Sequence, residues 1–266
     1  MVFCKREPRR DDACPIRRFK KNGRVDVAER EAHLLDIAEQ VVEQHGFAGL
    51  TMDKIVSRCA YSKGTVYNHF SSKEDLISAL CIRAMRTEMG YLNRALTFDG
   101  CTRERALAGH FAYQLYARLH PTLFLCVLSA KTPAVTEKTS PARMVQMQEL
   151  EQDILSLSTS LMQAAIAAGD LTVPDGISPQ QLMFAHWATA FGTSALLSAE
   201  ASSNLKELDR EQASLFNINL LLDGMGWRPL SGEHDYRAVW YRIGQTLFKQ
   251  ELETLNSPQH AQEDAR

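Results

Sequence analysis

From Glu29 onward the apolar residues of this chain recur at intervals of three and four, segment after segment, and no stretch settles into the strict alternation of a strand. That periodicity limits the chain to an all-α architecture. Leu34, Leu35, Ala38, Val41 and Val42 share one face of a first helix, which Gly46 stops. Thr51 is placed to cap a short helix with Met52, Ile55, Val56 and Cys59 turned inward, and Asp53 sits near its positive end. Ser62 opens a third helix. A fourth, running to about Leu96, is opened either by Ser72 or by Ser71 paired with Glu74 as a capping box. Beyond Asp99-Gly100 the pattern gives a helix over about 103–119, a short one begun by Pro121, and a loop over "KTPAVTEKTSPAR". A long helix follows, with the stripe Met147, Leu150, Ile154, Leu157, Leu161 and Ala165 and an end at Gly169. Three more span about 178–199, 205–223 and 235–255, which makes about ten helices in all.

Composition divides the chain further. Residues 1–27 form a basic, disordered arm: its first 24 positions carry nine Lys and Arg against three acidic residues. It is either a solvated tail or an arm that touches nucleic acid. Residues 28–98 are read as a helix-turn-helix DNA-binding domain of three helices, 99–256 as a larger helical domain and 257–266 as a disordered tail. The six cysteines are scattered singly, without metal-ligand spacing, so no metal and no cofactor is expected. Lacking an apolar leader and any apolar run of membrane-spanning length, the chain reads as cytoplasmic, with no membrane partner.

The third helix, "SKGTVYNHF", has only Val66 and Phe70 on an apolar stripe, four apart, so one narrow edge packs inward. Lys63, Thr65, Tyr67, Asn68 and His69 are left outward or sideways. That set suits DNA: Lys and Asn hydrogen-bond purine edges, Thr offers a hydroxyl and a methyl, and Tyr and His donate to phosphate oxygens. The N–H groups at the Ser62 end attract phosphate. Gly64 costs about 1 kcal/mol of helix propensity against Ala, and close approach to a groove wall or to the preceding helix explains its presence.

"TMDKIVSRCAYSKGTVYNHFSSKEDLI" resembles the DNA-binding region of the TetR/AcrR family of bacterial transcriptional regulators, with Thr51, Ile55, Ser62, Gly64, Tyr67, Phe70, Lys73, Glu74 and Leu76 in the family's pattern. The likeness covers about residues 29–80. It implies that Lys63, Thr65, Tyr67 and Asn68 meet bases or adjoining phosphates, while Tyr67, His69, Lys73 and the Thr51 helix end clamp the backbone. It also implies a homodimer on a palindromic double-stranded operator. Where the family usually has Gly and Val in the turn, this chain has Ala60 and Tyr61, which predicts a slightly reshaped turn.

Nucleophile-elbow, zinc-protease, phosphate-loop and paired-cysteine motifs are all missing, so no catalytic residue is assigned and the chain is not expected to be an enzyme. By the resemblance, the second domain binds a small molecule and dimerises through its last two long helices. Phe111, Tyr116, Phe124, Met147, Met162, Phe184 and His186 supply the aromatic surface and thioethers of an apolar pocket, which suits an apolar or aromatic effector. Trp187, Ala188, Phe191, Gly192 and Ala195, with Leu215, Ile218 and Leu222, form the expected dimer seam. The reading is a ligand-responsive repressor; the alternative is a helical binding or adaptor protein whose helix-turn-helix is only structural.

Overall fold

The structure, a computed structural model, describes residues 23–173, 176–198 and 208–257, and these residues are helical with no strand. The helices are α1 Gly23–Gly49, α2 Met52–Arg58, α3 Lys63–His69, α4 Lys73–Ala95, α5 Thr102–Leu119, α6 Pro121–Ala130, α7 Pro133–Thr136, α8 Pro141–Ala168, α9 Pro179–Ser198, α10 Arg210–Gly224, α11 Tyr236–Leu247 and α12 Lys249–Leu255. The all-α expectation holds, with twelve helices among the described residues in place of about ten. One of the added two is α7, inside the segment read as a loop. Pro133 and Pro141, taken there as breakers, each occupy the first turn of a helix, where a missing N–H has no intrahelical partner to lose. The other arises because the last helix breaks at Phe248, whose side chain is fully buried.

Further differences lie at helix ends. Gly46, at φ 67° and ψ 171°, does break the first helix, but a further turn runs on to Gly49. At its other end α1 begins at Gly23, so the arm's last residues are helical; 1–22 lie outside the described residues. Expected to start near Leu205, α10 starts at Arg210, capped by Asp209, and Leu208 stands exposed ahead of it. Tail residues 258–266 fall outside the described residues.

Helix α4 is the spine, packing against α1, α5, α6, α7, α8 and α11. A first apolar cluster joins Leu34, Val41, Ile55, Val66, Phe70 and Leu80 of the head to Phe124, Met147 and Leu150 of α6 and α8. A second gathers Leu107, Phe111, Leu182, Leu222, Trp227, Trp240 and Phe248 around α5. Residue 98 lies in the α4–α5 connection, and α4 packs against helices on both sides of it. At the centre of the second cluster is a fully buried Arg103. It pairs with Asp223 at 2.6 Å, donates to the Trp227 carbonyl and to Asn219 Oδ1 (3.2 Å), and lies 4.6 Å from the Tyr236 ring centroid. Burial of a guanidinium is tolerable because both terminal nitrogens are paired, one with the Trp227 carbonyl and the other with Asp223 and Asn219.

Candidate nucleic-acid interface and cavity

Three side-chain caps set the head's geometry. The N–H groups of Lys54, Thr65 and Asp75 donate to Thr51 Oγ1 (3.3 Å), Ser62 Oγ (3.1 Å) and Ser72 Oγ (3.0 Å), so Ser72 rather than Ser71 opens α4. Val66 and Phe70 are fully buried, and that edge is what α3 gives to the apolar core. Lys63, Gly64, Tyr67 and Asn68 are exposed, and Thr65 is half-buried with its hydroxyl 2.9 Å from Ser62 Oγ. Lys63 pairs with Asp53 at 3.0 Å in full solvent and lies 5.7 Å from the Tyr67 ring centroid. The Asp53 carboxylate holds the Lys63 ammonium above its ordinary value. Solvent screens an exposed pair of this kind, so a phosphate can displace the carboxylate at little cost. Lys73 donates to the Ala48 carbonyl at 3.3 Å.

His69 departs from expectation. Its side chain is only 8% exposed, and Nδ1 lies 3.7 Å from Glu31 of α1. Being on the inward side of the short α3, it faces the body of the head and is not available to clamp DNA. Gly64 also resolves one of its two explanations: a methyl built there would meet nothing nearer than Ser62 Oγ at 3.9 Å, so the preceding helix does not require the glycine. Tyr61, in the unusual turn, is half-buried against the core edge, with its hydroxyl 3.3 Å from His33 Nδ1.

Sequence reasoning missed how the head is fastened. Arg143, in the first turn of α8, donates to the His69 carbonyl (2.9 Å) and to Glu31 Oε1 (3.1 Å), approaches Asp75 at 3.5 Å, and lies 5.1 Å from the Phe70 ring centroid. Asp75 in turn accepts from the backbone N–H of Ser71 (3.1 Å) and of Ser140 (3.0 Å). Burial alone would raise this carboxyl, yet the Ser140 and Ser71 hydrogen bonds and Arg143 hold it below its ordinary value. No local signal marks Arg143, because its partners lie 68 to 112 positions away.

The body holds a partly open cavity of about 460 Å³ between α4, α5, α8 and α9, within the usual range of small-molecule sites. Met162, Phe184 and His186 line it as expected. Phe111, Tyr116, Phe124 and Met147 do not: all four are buried in the clusters, Phe111 edge-on to Trp240 at 4.8 Å and Phe124 stacked on Phe191 at 5.0 Å. Bulk and helical spacing were read correctly as inward-facing, but packed neighbours leave those side chains no free space. Residues not anticipated there include Glu88, His110, Tyr113, Lys131, Glu151 and Trp187. His110 Nε2 and His186 Nδ1 are 2.9 Å apart in stacked rings. Burial, and for His110 the neighbouring His186, lowers the two to about 3 and about 4, so the pair is neutral.

The residues expected at a dimer seam are differently exposed. Leu215, Ile218 and Leu222 are buried within their own chain, Phe191 packs on Phe124, and Trp187 faces the cavity. Leu215, Ile218 and Leu222 are thus spent on the monomer, while Trp187 stays 38% exposed. The apolar surface that α9 and α10 leave open consists of Phe184, Leu196, Phe216 and Leu220, 62% to 66% exposed, with Ala188 beside them and Gly192 and Ala195 half-buried.

A capped helix-turn-helix whose second helix is buried along one edge is here mounted on a helical body with its own cavity. Residues 34–80, within that head, match the family described as "Bacterial regulatory proteins, tetR family". The chain is 34% identical over 62 residues to the HTH-type transcriptional regulator UidR of Escherichia coli K12, covering 23% of this chain and 32% of that one. It is 30% identical over 105 residues to the HTH-type transcriptional activator FasR of Mycolicibacterium smegmatis, covering 40% and 48%. The chain thus spans between about a third and a half of these curated relatives. Among solved structures, a Rhodococcus sp. RHA1 protein of unknown function superposes with a TM-score of 0.61 at 20% identity, over 79% of this chain and 99% of that one. The Bacillus subtilis regulator FadR, in complex with stearoyl-CoA, gives 0.57 at 16% identity, over 73% and 98%. At these identities the likeness concerns the fold.

Proposed function

We propose that the chain is a sequence-specific DNA-binding transcriptional regulator, a cytoplasmic homodimeric repressor whose operator affinity falls when a small molecule fills the cavity. The observation that carries the reading is α3 itself: two buried anchors, and Lys63, Gly64, Tyr67 and Asn68 on the open face. These side chains and Thr65 meet base edges and adjoining phosphates, while Thr51, Ser62 and Lys73 bring helix ends and an ammonium to the backbone. A palindromic operator follows from two heads related by a twofold axis. The open faces of α9 and α10, centred on Phe216 and Leu220, are the self-association surface, because exposed apolar side chains gathered on two adjacent helices call for a cover.

The cavity and the head share α8. Glu151 to Met162 of that helix line the cavity, and Arg143 in its first turn grips the carbonyl end of α3. A ligand that displaces α8 therefore pulls on the recognition helix through one guanidinium. A shift of about 1.4 kcal/mol between the two states changes operator affinity tenfold.

The test is retardation of the DNA fragment upstream of the protein's own coding region. Binding should weaken steeply with salt, and the double variant Tyr67→Ala, Lys73→Ala, folded by circular dichroism, should lose it, with a salt slope reduced by about one per lost phosphate contact. Undiminished binding by that variant would overturn the reading.

A further inference from the structure

Along α4 the cavity wall is Met85, Glu88, Leu92 and Leu96, a helical stripe in which one position is a carboxylate among apolar neighbours. Glu88 forms no ion pair or hydrogen bond with any described residue. Among the described residues the one cationic side chain on the cavity wall, Lys131, is already committed: its ammonium is 2.7 Å from Glu151 Oε1 and lies 5.9 Å from the Trp187 ring centroid. With His110 and His186 neutral, the wall carries two carboxylates against one ammonium. A carboxylate stranded in this way is costly in an empty apolar site and is relieved by a cation. Tyr113, Phe184 and Trp187 add aromatic rings to the same wall, the surface that favours a positive charge.

We propose that the cavity takes a lipophilic organic cation, its apolar or aromatic body against Leu92, Leu96, Ile154 and Leu161 and its positive centre on the Glu88 carboxylate. This rests on the regulator reading only for its consequence, release from DNA; the binding chemistry stands by itself. An anionic amphiphile is disfavoured, because it would add a third negative charge beside Glu88 and Glu151.

The groups that face Glu88 set its pH response. They are Lys131 at the end of α6, Glu151 of α8, Tyr113 and Tyr116 of α5, and Cys81 on α4 itself. Burial raises Glu88 to about 7, opposed by Lys131. It also raises both tyrosines and takes Cys81 to about 12, so none of those three ionises near neutrality. Between pH 6 and 8 the group that changes charge on this wall is Glu88.

Tetraphenylphosphonium and tetraphenylborate have the same shape and opposite charge, and quenching of tryptophan fluorescence, with Trp187 and Trp227 on the wall, reports their binding to the full chain. At pH 8 the cation should bind at least tenfold more tightly than the anion, and lowering the pH to 6 should weaken it about tenfold as Glu88 takes up a proton. Glu88→Gln should abolish both the preference and the pH dependence. The same variant should raise the melting temperature of the ligand-free protein at pH 8, since a group raised in the folded state loses stability as pH climbs through its folded value. Lys131→Ala supplies a second check by tightening the cation. Equal affinity for the two ions, or a cation affinity that Glu88→Gln leaves unchanged, would overturn the proposal. Retardation of the upstream fragment, measured on the same protein, separates the two readings. Cation binding without DNA binding removes the regulator reading and keeps this one; DNA binding without cation binding does the reverse.

Discussion

The head and the body solve the same problem, burying a helix face, with opposite materials. In the head each short helix starts on a hydroxyl that caps it, and α3 sends only Val66 and Phe70 into the core, an economical arrangement that leaves Lys63, Tyr67 and Asn68 exposed. In the body, charged and polar groups are inside. Arg103 is fully buried, Glu104 is nearly so with Arg242 at 3.1 Å, and the His110–His186 pair sits under Trp227. Apolar side chains, meanwhile, are outside on α9 and α10. The head is built to present a surface that local rules define. The body is built around long-range contacts, and it leaves a cavity where those contacts do not close.

The largest effects should come from each region's anchor. Phe70→Ala and Arg103→Ala are each expected to cost about 3–5 kcal/mol in urea unfolding, the first by leaving a cavity, the second by stranding Asp223 and the Trp227 carbonyl. An Arg103 variant that lost under 1 kcal/mol would make the buried pair incidental and the contrast superficial. Asp223 sharpens it further. Burial alone would raise this carboxyl, yet Ser231 and Arg103 hold it below its ordinary value, so its contribution is complete above about pH 4 and drains away as acid protonates it in the folded state. Arg103→Ala should flatten the acid limb of the stability curve.

Arg143 lies between the two regions, and its removal should separate them. Arg143→Ala is expected to lower stability by about 2 kcal/mol, since hydrogen bonds to charged groups contribute about 1.5–3. More tellingly, cavity ligands should still bind with unchanged affinity while their effect on DNA binding falls several-fold. A variant that responds to ligand as fully as the parent would show that the signal travels along α4 and not through the α8 contact. Smaller again is Ser62→Ala, expected to cost about 1 kcal/mol for the lost cap of α3.

How much was legible in the sequence follows the same division. Caps, glycine stops and the Val66–Phe70 stripe are local, spaced by one or two turns, and they led to the helix-turn-helix with its exposed face. His69 was misjudged for want of a partner in view: only the fold brings Glu31 of α1 within 3.7 Å. In the body, periodicity found the inward faces but could not say which inward residues meet neighbours and which meet empty space. Phe111 and Phe124 therefore proved to be core, whereas Glu88, polar and passed over, proved to line the cavity. Leu215, Ile218 and Leu222 were inward too, toward their own chain, while the side of α10 carrying Phe216 and Leu220 stands open.

The finest test of the contrast is Gly64. If α3 were ordinary scaffold, alanine there should simply be better: the helix gains up to about 1 kcal/mol of propensity, and a methyl meets only Ser62 Oγ, at ordinary contact distance. A recognition surface predicts a split result, in which Gly64→Ala raises the melting temperature by a few degrees and yet weakens operator binding tenfold or more, the methyl standing where DNA must approach the backbone. Such a split requires that the position be selected for something outside the chain, since everything inside it favours alanine. Stability and DNA affinity rising together would mean that the glycine has no role in the interface, and that the open face of α3 begins at Tyr67, one turn further along the helix.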